Sequence, residues 1–118
     1  MLKTFSAWTS REMRRGDIYY ATPPGSRYGF PVVLISIDMG GNGRINGVKV
    51  SRKVRDLNDF DVPLSPEGTG CEDCYARCET VEEIAWDWLG DYLGTCSRSE
   101  MADIGQAVAY RLGIMRNG

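Results

Sequence analysis

The run VVLISI, Val32 to Ile37, constrains this chain more than any other stretch. It is apolar and largely β-branched on both parities, so a strand built from it has no face to offer water. Such a strand lies inside a sheet and is covered on both sides. The 118 residues suffice for one domain with a single modest core, and they are too few for two. The remaining segments must therefore supply this strand with its neighbours and its cover.

The flanking segments read as short strands separated by turns. Gly16 and Asp17 punctuate, and Ile18 to Ala21 forms a first strand. Pro23, Pro24 and Gly25 end it, because proline cannot continue a ladder and glycine frees a turn. Pro31 opens the second strand. DMGGNGRING, Asp38 to Gly47, reads as a turn-rich loop. VKVSRKV follows from Val48 to Val54, with Lys49, Ser51 and Lys53 alternating against valines, which predicts a half-exposed strand with one basic, hydroxylic face. Val62 to Leu64 reads as a short edge strand, SPEGTG as a loop, and YARCETVEEI from Tyr75 as a further strand. AWDWLGDYLGTC joins a tight turn to a last short strand, and Trp86 and Trp88 are expected in the core or at a dimer interface.

Both ends of the chain show helical spacing. Leu2, Phe5 and Trp8 suit one face of a short N-terminal helix within an extension, residues 1–13, that precedes the domain of residues 14–118. Ser97 followed by Glu100 is a capping-box pattern. Met101, Ile104, Val108 and Leu112 then recur at helical spacing, with Gly113 where a C-terminal cap belongs. No internal repeat or low-complexity segment is present. Five or six short strands and one closing helix predict a mainly β (α+β) domain, a small, partly closed barrel or strongly bent sheet with a helix packed on it.

Charge and composition narrow the chemistry. The formal net charge is −2, so binding to a polyanion would have to come from a local patch. No apolar run approaches the ~20 residues of a membrane span. The N-terminal MLKTFSAWTSREM lacks the apolar core of a signal peptide. A cytoplasmic location is the expectation, and with it four mostly reduced cysteines. The chain contains no histidine. It therefore lacks the usual acid–base group at neutral pH, and an enzyme built here works with Arg, Lys, Tyr, Ser or Thr, and carboxylates.

The order of the motifs resembles the MazF/PemK (Kid) toxins of bacterial type II toxin–antitoxin systems. RRGDIYYA, a Gly-containing loop and PVVLIS are similar to the family opening, an R-G-D-[IV]-[YW] strand followed by a loop and an apolar strand. VKVSRKV resembles the third-strand segment and RCETVEEI the E-Q-I-R-T-I strand. LGTCSRSEMADIGQAVAYRLGI resembles the family ending, in which G-T-L-S precedes a helix closing on L-G-[IL]. The resemblance spans roughly Arg14 to Ile114. It implies an SH3-like barrel of the CcdB/PemK/MazF type, a homodimer, cleavage of single-stranded RNA without a metal or other cofactor, and inhibition by a cognate antitoxin peptide. Two departures stand out. Phe30 precedes Pro31 where the family has the Arg that stabilises the scissile phosphate, and Glu82 stands where the family strand has Arg.

In that chemistry the ribose 2′-OH attacks the adjacent phosphate, and the site places the nucleophile in line and stabilises charge on phosphate oxygens. Arg27, on the loop before Phe30, is the expected guanidinium donor. Ser51 takes the place of the family's third-strand hydroxyl, and Glu79 is the expected carboxylate base, with Asp17 as the other choice. Tyr28 is suited to stack on an unpaired base. Lys49, Arg52 and Lys53 add positive charge along the RNA path, and Asp17 is counted with that surface. Two other readings of the same fold remain: a binding module for an antitoxin or RNA without cleavage, and a CcdB-like toxin directed at gyrase. The cysteines, Cys71, Cys74, Cys78 and Cys96, form one C-x2-C with two irregular partners. That pattern admits a structural zinc or a disulfide, but reduced thiols without metal are expected.

Overall fold

A computed structural model describes residues 13–37, 44–52 and 56–111. The expected N-terminal helix, the Gly113 cap and Lys53 lie outside these residues. Six strands form one antiparallel sheet: β1 (Asp17–Ala21), β2 (Phe30–Ile37), β3 (Arg44–Arg52), β4 (Asp61–Pro63), β5 (Cys74–Ala85) and β6 (Leu89–Thr95). A four-residue helix, α1 (Pro66–Thr69), follows β4, a 3-10 turn (Trp86–Trp88) precedes β6, and the helix α2 (Arg98–Arg111) closes the chain. Within the sheet the strand order is β4-β5-β3-β2-β1-β6.

The ends of this sheet are β4 and β6, and α1 joins them. It leaves the β4 edge and packs on β6 so closely that a Cβ on Gly94 would lie 1.8 Å from the carbonyl oxygen of Gly68. Only glycine permits that approach. The sheet is thereby drawn round into a partly closed barrel, and α2 lies against β4 and β5.

The expectation for VVLISI holds over its first half, whereas Ile35 and Ile37 are half-buried and Ser36 is exposed. Val32, Val33 and Leu34 have no exposed surface, and burial of each contributes roughly 1.5–3 kcal/mol. They divide between two clusters. Val33 joins Ile18, Val48, Val50, Ala76, Cys78, Met101 and Ile104 on the side facing α2. Val32 and Leu34 join Tyr19, Ala21, Ile45, Ile84 and Leu89, with Phe30 and Trp88 packed against them.

The hairpin between β1 and β2 is built by its own sequence. Ser26 donates its backbone N–H to the Pro23 carbonyl at 3.1 Å, and Gly25 has φ +80°. Pro at the second and Gly at the third position of such a turn satisfy a type II geometry. The loop is anchored at both ends, by the Thr22 N–H to the Trp88 carbonyl at 2.9 Å and by the Gly29 N–H to the Tyr20 hydroxyl at 3.1 Å.

Four expectations are corrected. SPEGTG is not only a loop, because Pro66–Thr69 forms a helical turn. β3 begins at Arg44, inside the segment read as a loop, because Ile45 is drawn into the core opposite Ile84. Trp86 is 45% exposed, which removes it from the core and leaves the dimer-interface alternative. Finally, Cys71 and Cys74 are joined in a disulfide rather than being free thiols. Cys78 and Cys96 are free and buried. A four-thiolate zinc set is not assembled, since no three of His, Cys, Asp and Glu among the described residues could hold one ion.

Candidate functional site

Strand parity sorts the site residues. Val48 and Val50 of β3 point into the α2-side core, so Lys49 and Ser51 take the opposite face. On β5, Cys74, Ala76 and Cys78 point to the α2 side, leaving Tyr75, Arg77 and Glu79 on the Lys49 face. Register then pairs Lys49 with Arg77 and Ser51 with Tyr75. Between the pairs Lys49–Arg77 and Gly47–Glu82, β3 has one residue, Val48, whereas β5 has four, Cys78 to Val81. That bulge opens the ladder and re-aims the side chains around it. A small pocket of about 80 Å³ results, lined by Lys49, Arg77, Glu79, Thr80 and Glu82.

The hairpin reaches this pocket through Phe30. Its ring lies beneath Lys49, with Nζ 4.5 Å from the ring centroid, a cation–π contact that holds the ammonium at the end of β2. Arg27 and Tyr28 sit on the exposed part of the same loop, and Tyr28 is 75% exposed. No side-chain hydrogen bond or ion pair ties Arg27, Ser51 or Arg77 to another described residue.

The structure therefore brings Lys49, Ser51 and Glu79 to one face, beside the loop that carries Arg27 and Tyr28. It does not bring Arg52 there, because parity places Arg52 on the α2 side of β3, opposite Cys74. Asp17 is 1% exposed. Its carboxylate accepts the Arg14 N–H at 3.0 Å and the Thr95 hydroxyl at 3.1 Å, so it anchors β1 to β6 rather than facing a ligand. Arg77 went unnoticed in the sequence. Its signal was there, since it shares parity with Glu79 in YARCET, but its position against Lys49 depends on a register that only the folded sheet displays.

The two free thiols take no part in this face. Burial pushes the Cys78 thiol up to about 12, with the nearby Asp61 carboxylate adding to the shift. Burial likewise pushes Cys96 up to about 12, followed by the effects of Glu100, Cys78 and Asp17. Both stay protonated and unreactive at neutral pH.

These features make the chain a small antiparallel barrel closed by a C-terminal helix, with cations and a hydroxyl on the face beside the β1–β2 hairpin. The chain belongs to the PemK-like, MazF-like toxins of type II toxin–antitoxin systems, whose family model matches residues 14–112. It is 30% identical over 115 residues to the endoribonuclease MazF9 of Mycobacterium tuberculosis, covering 86% of this chain and 98% of that protein. Solved structures share the fold. An endoribonuclease in complex with its cognate antitoxin, from a mycobacterial species, superposes with a TM-score of 0.75 at 22% identity, over 90% of this chain and 100% of that one. The MazE–MazF complex of Deinococcus radiodurans gives 0.73 at 14% identity, over 89% of this chain and 99% of that one. Among the described residues no helix is long and apolar enough to cross a membrane.

Proposed function

We propose that this protein is the toxin of a type II toxin–antitoxin pair and acts as an endoribonuclease on single-stranded RNA. The observation that carries the reading is the convergence of Lys49, Ser51 and Glu79 on one sheet face beside the Arg27–Tyr28 loop. The similarity to the endoribonuclease MazF9 supports the same reaction class.

The residues fit transesterification. The ribose 2′-oxygen forms a bond to the adjacent phosphorus as the P–O5′ bond breaks, giving a 2′,3′-cyclic phosphate and a 5′-hydroxyl. Glu79 accepts the proton of the 2′-OH, and the departing 5′-oxygen takes a proton from solvent. Ser51 donates a hydrogen bond to a phosphate oxygen, and Lys49 offsets the charge that develops there. Arg27 holds the backbone and Tyr28 stacks on an unpaired base as the loop closes on the strand. Because the charge-stabilising groups belong to the chain itself, cleavage proceeds in EDTA.

The working form is a homodimer in the cytoplasm, held inactive by an antitoxin peptide. Tyr20 on β1 and Tyr92 and Leu93 on the adjoining β6 are 37%, 41% and 40% exposed. A two-fold pairing would cover such a surface, and light scattering at micromolar concentration should give twice the chain mass.

The decisive assay is incubation of the purified protein with mixed-sequence RNA in EDTA, with the products mapped at both ends. Cyclic-phosphate and 5′-hydroxyl ends are expected. Intact RNA at micromolar protein would overturn the nuclease reading in favour of a binding role.

A further inference from the structure

Lys49 and Arg77 stand directly opposite each other across the β3–β5 ladder. Facing residues of an antiparallel pair have Cβ atoms roughly 5 Å apart, and like charges so placed destabilise the sheet. Elsewhere on this ladder the chain avoids the conflict, for Arg44 is paired with Glu83 at 2.6 Å. Among the described residues Arg77 forms no such ion pair. Asp61, its register partner on the other side, is buried and accepts the Asn58 N–H at 2.9 Å. Glu79 and Glu82 line the same pocket.

We infer that Lys49 and Arg77 form a two-point clamp for a backbone phosphodiester of RNA, with Arg77 a catalytic residue of the site; this rests on the endoribonuclease reading above. Two adjacent cations, one held over the Phe30 ring, offer complementary charge to a phosphate oxygen pair. The guanidinium presents forked N–H donors to two phosphate oxygens, and the ammonium acts as a point charge beside it. Ser51, two residues from Lys49 on the same face, adds a neutral donor to the same phosphate. Both cations project from paired strands, so they are already placed where charge grows on the phosphate oxygens, and no loop has to order first. Arg27, on the exposed hairpin, lacks that placement. A carboxylate ligand fits less well, because Glu79 and Glu82 at the pocket wall would repel it without gaining a role, whereas RNA cleavage uses a carboxylate base.

The test uses the full chain and three readouts: turnover on mixed-sequence RNA, salt-dependent affinity for a 2′-O-methyl RNA that cannot be cleaved, and thermal melting. Arg77→Ala should lower kcat by about 10²-fold or more. Arg77→Lys should recover part of the loss, since it keeps the charge but not the fork. The slope of log affinity against log salt should fall by about 0.7 for one lost phosphate contact on a single strand. Melting should stay level or rise, because a like-charge pair is relieved. Should Arg77→Ala fold poorly, Arg77→Gln and Lys49→Gln give the same comparison. An active wild type with an Arg77→Ala variant that cleaves and binds equally well would overturn the clamp and leave the nuclease reading standing. A wild type that cleaves nothing, with an Arg77→Ala variant of weaker and less salt-sensitive binding, would do the reverse. Unchanged binding in an inactive protein would sink both.

Discussion

Glu100 accepts the backbone N–H of Ser65, 35 residues away in the chain, at 2.5 Å. Its other carboxylate oxygen accepts the Ser97 N–H at 2.7 Å, and the Ser97 hydroxyl accepts the Glu100 N–H at 3.0 Å. One side chain thus completes the α2 capping box and ties the start of α1 to it. Glu100 is 9% exposed, so its removal strands two N–H groups where water reaches them poorly. Glu100→Ala should lower the unfolding free energy by about 2 kcal/mol, with Glu100→Gln in between. Urea curves for the two variants that fall within ~0.5 kcal/mol of wild type would contradict this role.

The capping box shows what a sequence displays well. Ser97 and Glu100 lie within one helical turn, so their pairing is a local pattern, and the double burial of Val32 to Leu34 is announced by composition, though that of Ser36 in the same run is not realised. The tie from Glu100 to Ser65 is not local, and nothing in SPEGTG marks its serine as the partner. α1 was missed for the same reason, because its four residues are stabilised by packing Gly68 against β6 rather than by helical spacing. The candidate site was legible as a basic, hydroxylic strand face, which placed Lys49 and Ser51. Arg52 falls on the other face by the parity of β3, and Arg77 joins Lys49 through a β3–β5 register that the sequence does not display.

The Cys71–Cys74 disulfide closes a loop of very few residues. Cross-linking so short a loop removes little disorder from the unfolded chain, about 2 kcal/mol by loop-closure arithmetic. Opening it with dithiothreitol, or replacing it with Cys71→Ser, should lower stability by about that amount and leave the far-UV spectrum unchanged. Loss of the folded baseline on reduction would mean that the bridge holds more of the β4–β5 connection than its size suggests.

Cys78 and Cys96 give a pH signature. Both thiols are pushed from 9.0 to about 12 in the folded state, chiefly by burial. A raised thiol keeps its proton in the native protein while the unfolded chain has lost it. The associated stability is therefore complete below about pH 9 and declines as pH rises from there towards 12. The limiting loss is about 1.4 kcal/mol per pH unit for each thiol. Melting temperatures between pH 8 and 10.5 should fall along that slope, and Cys78→Ala should make the slope shallower whatever it does to stability at pH 8. Parallel slopes for the variant and wild type would show that other groups govern alkaline unfolding.

Phe30 fixes the position of the Lys49 ammonium at the end of β2. Its ring lies 4.5 Å from the Lys49 ammonium, and such a contact contributes roughly 0.5–1 kcal/mol at an exposed site. Phe30→Leu keeps the apolar bulk but removes the electron-rich face, so kcat should fall by about two- to five-fold, the rate equivalent of that energy. Arg27→Ala should mainly raise KM, since an unanchored loop cation helps capture RNA more than it organises the reacting phosphate. Phe30→Arg restores an Arg before Pro31, yet it sets a third cation against Lys49. If Lys49 and Arg77 handle the phosphate, this gain of charge should lower kcat below that of Phe30→Leu. If instead the hairpin is where the charge belongs, Phe30→Arg should raise kcat above wild type, and the roles assigned to Lys49 and Arg77 would pass to the loop.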